Sequence, residues 1–249
     1  MLMQRTQYKY LTFISMLYMT IKLITVVLIY KIITIGSFSA SASTLIMPLW
    51  FVMGDVIAEV YGYKVARHMI WMAIICQFIF AFACAGMIAF DTPFGWTHQE
   101  AYDQVLGKLP RVALASFLAI VSGAFINAYA ISKWKILLRG RYFWLRSLGA
   151  SAVGELVFTV VAYLTEFLGV VPLSHLLHLM IISYAIKLIL NPILVVPSLI
   201  TAFALKRIEG VDAYDIGINF NPFKMSLDDE SALSKELTSG VNKSIYGEV

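Results

Sequence analysis

Read for apolar and polar positions alone, the chain divides into six long apolar stretches with polar connections between them and a polar end. They fall at about 10–30, 45–63, 69–90, 112–132, 147–170 and 176–204. At 1.5 Å of rise per helical residue, each can cross a hydrocarbon core of about 30 Å. The pattern predicts an all-α membrane protein with six transmembrane helices over residues 1–209, and a polar, solvated tail over 210–249. Inside that tail, Ser226–Leu237 offers a capping serine and acids in its first turn, which predicts a short helix. The stretch 36–47 is small, hydroxyl-rich and followed by Pro48. Proline suits the first turn of a helix, so the second helix is expected to start near it, after irregular backbone.

Charge placement then orients the spans. Eleven Lys and Arg lie in one alternating set of connections (Arg5 and Lys9, Lys64 and Arg67, Lys133 to Arg146, Lys206 and Arg207). The other set holds three: Lys31, Lys108 and Arg111. The positive-inside rule therefore places both termini in the cytoplasm of a multi-pass membrane protein. Lys22 interrupts the first stretch, which argues against a cleaved signal peptide. Composition agrees: of 249 residues 60% are hydrophobic and 14% charged, with a mean hydropathy of +0.79. A soluble domain carries about 25% charged residues, so a disordered chain, a nucleic-acid module and nearly every soluble enzyme are excluded. Cys76 and Cys84 stand about 12 Å apart on one helix, too far for a disulfide. No GxxxxGK[ST], HExxH, GxSxG or paired CxxC occurs. His175 and His178 are too few to make a metal site. The chain is thus read as a non-enzyme without catalytic residues, cofactor, metal or direct nucleic-acid partner, embedded in a lipid bilayer.

The apolar stretches nonetheless contain Lys22, Asp55, Glu59, Glu155 and Lys187. Each costs about 2.5–3.5 kcal/mol at the centre of a membrane helix. Mutual pairing, a watery cavity or both must offset that. Asp55 and Glu59 are four apart and share a helix face. Pairing with Lys22 and Lys187 would leave one carboxylate over, a candidate for binding a ligand or carrying a proton. Asn127 and Asn191 add uncharged donors and acceptors, and Pro192 and Pro197 predict a bend in the last helix.

Three blocks carry a resemblance to a known family: MPLWFVMGDVIAEVYGYKVARHMIW (47–71), PRVALASFLAIVSGAFINAYAISKWKILLRGRYFWLRSLGAS (110–151) and SYAIKLIL (183–190). They resemble the queuosine precursor transporter family, also called the vitamin uptake transporter or YhhQ family. The GD-x3-EVYGY element is the specific one. The resemblance implies a six-helix fold similar to the substrate-binding components of energy-coupling-factor vitamin transporters. It also implies import of a 7-deazaguanine such as preQ0, preQ1 or queuine for tRNA modification. Asp55, Glu59, Asn127 and Lys187 match the family's polar positions. Relatives commonly read GQ-x2-D where residues 154–158 read GELVF, so Glu155 replaces an amide and Phe158 an acid. Val26 stands where an Asn is expected, Lys22 is unusual, and Ala124 and Asn191 stand where relatives often hold acids.

On this reading Glu59 or Glu155 accepts the two adjacent N–H donors of a guanine-like edge. Asn127 or Lys187 donates to its carbonyl, Trp50 or Phe51 stacks on the base, and Asp55 and Lys187 form a charged frame. Lys22 and Asn191 serve coupling or pairing. Glu155, in place of an amide, suits a cationic ligand better than neutral preQ0. The alternative is the substrate-binding subunit of an ATP-driven transporter of the energy-coupling-factor type. The sequence leaves the oligomeric state open, a homodimer included.

Overall fold

The apolar stretches fold as helices whose lengths follow the hydrophobic runs and whose ends follow local capping chemistry. In the computed structural model, residues 8–36 and 38–223 are described; the helix expected at Ser226–Leu237 lies outside them. α1 spans Leu11–Val27. Two short antiparallel strands follow, β1 (Ile32–Ile35) and β2 (Phe38–Ser41). Then come α2 (Ser43–Tyr61), α3 (Tyr63–Ile88) and a short, exposed α4 (Gln99–Leu106) where the sequence suggested a polar loop. α5 (Leu109–Ala119) runs through one π turn (Ile120–Ala124) into α6 (Phe125–Leu137). α7 (Phe143–Phe167) and α8 (Leu173–Glu209) complete the bundle. Among the described residues, five helical stretches are long and apolar enough to cross a membrane: α2, α3, α4 to α6 taken together, α7 and α8. α1 is apolar but shorter, with 17 residues. α2 is the central element, mostly buried and in contact with α1, α3, α6, α7 and α8. α8 instead turns Ile181, Ile189, Ile193, Ile200 and Phe203 outward, as a helix against lipid does.

Two expectations are corrected. The second helix starts at Ser43 rather than at Pro48, because the Ser41 hydroxyl accepts the Ser43 N–H (3.3 Å) and the preceding residues pair as a hairpin. Pro48 therefore sits in the second helical turn, where its missing N–H withdraws one bond close to the helix end. The start of the tail is not free in solvent either. Ala213 N–H bonds Val60 O (3.1 Å), Tyr63 N–H bonds Asp215 (2.9 Å), and Arg67 bonds the carbonyls of Asn219 and Asn221 (3.1 and 2.8 Å). Trp71 Nε1 reaches Pro222 O at 2.7 Å. Residues 211–223 thus form a strap across the α2–α3 corner. Gly62 makes the corner with φ 85, and a Cβ there would stand 2.9 Å from the Asp215 carboxylate.

Two helices approach closely under the polar centre. A Cβ on Gly154 of α7 would stand 2.7 Å from Asn127 Cβ and 2.9 Å from Gly123 O. The π turn at that crossing re-phases the helix just before Asn127. Gly154→Ala is therefore expected to destabilise by roughly 1–3 kcal/mol through overpacking. Its thermal midpoint in detergent should fall, and an unchanged midpoint would show that the crossing has slack.

Candidate functional site

Polar residues recur on α7 at every fourth position: Ser147, Ser151, Glu155, Thr159 and Tyr163, all buried. Successive members at that spacing are neighbours on the helix surface, and the series winds slowly around α7. α8 carries its own four-residue series, Ser183, Lys187 and Asn191. The helices run antiparallel and the two series meet turn by turn. Asn191 Nδ2 donates to Glu155 Oε2 (3.1 Å), Lys187 Nζ to Thr159 Oγ1 (2.8 Å), and the hydroxyls of Tyr163 and Ser183 lie 2.5 Å apart. Thr44 of α2 closes the far end of this zipper on Ser183 at 3.0 Å. At the near end Asp55 of α2 is held by neutral donors alone: Asn127 Nδ2 (2.5 Å), Ser147 Oγ (2.5 Å) and Ser151 Oγ (3.0 Å). Trp50 and Phe51 meet Phe158 edge-on or tilted, and Tyr18 stacks on Trp50 at 5.0 Å. Lys22 stands 5.1 Å above the Trp50 ring, while Lys22 and Lys187 are each 5.6 Å from the Phe158 centroid. Asp55, Asn127, Glu155, Lys187, Asn191, Trp50, Phe51 and Lys22 therefore converge on one region inside the bundle.

Glu59 does not join them. One turn further along α2 it receives both Arg146 guanidinium nitrogens (2.7 and 3.1 Å) and Lys206 Nζ (2.6 Å). Lys135 Nζ lies 3.9 Å away and bonds the Glu59 carbonyl, Asp212 and Ala213 O. Among the described residues every ion pair within 4.0 Å involves Glu59 or Asp212, so pairing of Asp55 and Glu59 with Lys22 and Lys187, one of the ways of offsetting their cost, is not the one this bundle uses. The reason is reach: one helical turn carries Glu59 to the end of the bundle where the basic α6–α7 connection folds inward. Asp212, on the strap, is pushed up by partial burial, but hydrogen bonds from Lys135 and Lys206 outweigh this and hold its carboxyl below the ordinary range.

Among the described residues, five buried charged side chains escaped the sequence reading: Arg67, Lys135, Arg146, Glu166 and Asp215. Arg146 and Lys135 counted as loop charges, yet they are 0% and 1% exposed. Glu166, also 1% exposed, stands at the end of the fifth stretch, where an acid looks like a boundary residue. The fourfold polar period of α7 and α8 was the signal that could have exposed the zipper.

The central region is tightly closed. A cavity of about 20 Å3, lined by Lys22, Thr44, Phe158, Tyr163 and Lys187 among others, has room for one water. A second, of about 10 Å3, lies against Tyr18, Trp50, Phe51 and Asn127. The open midplane pocket expected from the sequence is thus shut in this conformation. Yet the enclosed polar atoms are not all satisfied: Trp50 Nε1, Asn127 Oδ1, Glu155 Oε1 and Asn191 Oδ1 are buried without a hydrogen-bond partner.

A bundle of long apolar helices that encloses charged groups, aromatic rings and unsatisfied acceptors is a membrane carrier for a small polar molecule in its design. Residues 41–202 match the family described as "Putative vitamin uptake transporter", and the chain belongs to that family of multi-pass membrane transporters. It is also 30% identical over 180 residues to a Bacillus subtilis (strain 168) protein named "Probable queuosine precursor transporter", covering 72% of this chain and 77% of that one. No solved structure matches the chain significantly.

Proposed function

We propose that the protein imports a queuosine precursor, a 7-deazaguanine such as preQ1, queuine or preQ0, through six spans with both termini in the cytoplasm. The similarity to the Bacillus protein supports the substrate class. Within the site, one observation carries the reading: three acceptors (Asn127 Oδ1, Glu155 Oε1, Asn191 Oδ1) and one donor (Trp50 Nε1) lie buried and unmet around stacked rings. Unmet buried polar groups cost about 1–3 kcal/mol each. A flat base with adjacent N–H donors and a carbonyl acceptor would satisfy both kinds.

In this proposal Glu155 accepts from the guanine-like edge, with Asn191 and Asn127 beside it. Trp50 and Phe51 flank the ring, and Lys187 and Lys22 face its acceptor side. Asp55, saturated by three donors, frames the site, and Glu59 holds the cytoplasmic end of the bundle together. α1 supports the sixth span, since 17 residues extend about 25 Å and tilt or local thinning accommodates the remainder.

Labelled preQ1, queuine and preQ0 offered to a host unable to make queuosine provide the test. Expression should bring label into the cells and queuosine into tRNA. Wild-type protein that reaches the membrane in quantity yet imports none of the three would remove the substrate assignment.

A further inference from the structure

Glu166 lies outside the set just described. Its carboxylate is 1% exposed, Oε1 has no hydrogen-bond partner, and the Tyr30 hydroxyl faces the group. The charged and titratable groups facing it are Lys22 of α1, Tyr30 beyond α1, Arg111 of α5 and Tyr163 of its own helix. Arg111 is exposed and bonds the carbonyls of Thr165 and Leu168 (3.5 and 2.9 Å), so Glu166 sits just inside the surface at the end opposite the basic connections.

Lys22 is the second half of the observation. It is 1% exposed, and among the described residues its Nζ has no hydrogen-bond acceptor and no ion-pair partner within 4.0 Å. The Trp50 and Phe158 rings are its near contacts, and Glu166 and Lys187 are the charges that face it. Lys22 lines the closed chamber together with Ala162 and Tyr163, and Glu166 follows Ala162 by one turn of α7 toward the Arg111 end. The nearest anion that acts on this buried ammonium from outside the chamber lining is thus Glu166.

We infer that Glu166 is a proton-binding site that couples import to the proton gradient, acting on the chamber through Lys22. This rests on the import reading above. A proton arriving from the Arg111 end binds Glu166 Oε1 and cancels its charge. Lys22 stays an ammonium and loses its facing anion, so an acceptor within the chamber gains in value. The ring carbonyl of a deazaguanine is such an acceptor. Proton and substrate each favour the other's binding, and the linkage is reciprocal. They enter together, one proton per molecule, and release of both on the basic side restores the ionised carboxylate.

Purified protein in proteoliposomes, with labelled preQ1 as probe and a pH-sensitive dye inside, tests this. Wild type should perform counterflow, acidify the lumen as substrate enters, and accumulate up to about tenfold per unit of imposed pH difference. Glu166→Gln should keep counterflow but lose accumulation, and Glu166→Asp should restore part of it. Tyr30→Phe removes the hydroxyl that faces the carboxylate and should shift the pH midpoint of uptake. Accumulation by Glu166→Gln, an unmoved midpoint in Tyr30→Phe, or entry without lumen acidification in wild type would each overturn the coupling role. Absence of wild-type counterflow would instead strike the substrate reading beneath it.

Discussion

Glu59→Gln should cost the protein most of its stability rather than merely its transport. The carboxylate receives both Arg146 nitrogens and Lys206 while 2% exposed, and Lys135 stands 3.9 Å away. Neutralising it leaves these cations together with only Asp212 to face them. Breaking a buried pair from one side costs about 3–5 kcal/mol, comparable to the whole stability of many domains. The expected result is low yield in the membrane and a sharply lowered thermal midpoint in detergent. The double variant Glu59→Gln with Arg146→Gln should recover part of the loss, because it removes one orphaned cation. Wild-type stability in Glu59→Gln would mean that water reaches the cluster, and would return Glu59 to the list of ligand-binding residues.

Glu155→Gln should do the reverse. Oε1 has no partner and Oε2 accepts one bond from Asn191, so an amide of the same shape leaves packing intact and Lys187 still bonded to Thr159. What changes is the charge offered to a ligand. If the carboxylate meets a cationic substituent or a pair of N–H donors, its loss should reduce uptake of preQ1 and queuine at least tenfold, a difference of about 1.4 kcal/mol. Uncharged preQ0 should suffer less if the carboxylate meets the cationic substituent, and as much if it meets the N–H pair, which all three compounds carry. Competition uptake with the three compounds reads the change in ranking directly. Equal uptake of all three by wild type and variant would detach Glu155 from recognition.

These two glutamates show what the sequence made legible and what it hid. Asp55 and Glu59 share a helix face, as their spacing says, but one turn of rise decides whether a carboxylate meets serines or an arginine. Spacing along one helix cannot report what the neighbouring helices bring. The hydropathy runs showed the long helices because lipid imposes length and apolarity on each one separately. Arg146 and Lys135 count toward one side under the charge rule, yet both fold inward, which a sidedness rule does not address. The strap was hidden for another reason. Arg67 and Trp71 bind main-chain carbonyls of residues 219, 221 and 222, and every residue type carries a carbonyl. The α7–α8 zipper was the legible feature left unread, since two matched four-residue polar series in adjacent apolar helices announce their own antiparallel register.

The ion cluster also sets a timetable for synthesis. Arg146 lies 87 residues after Glu59 and Lys206 lies 147 after it. At translation rates of about 5–20 residues per second, the second partner emerges roughly 7–30 s after the acid. Until then Arg146 balances the single charge of Glu59, but α2 lacks the tie to α8 that Lys206 supplies. Nascent chains interrupted before the last helix should consequently be recognised as unfinished and cleared, and the closing act of assembly falls to the carboxyl-terminal end.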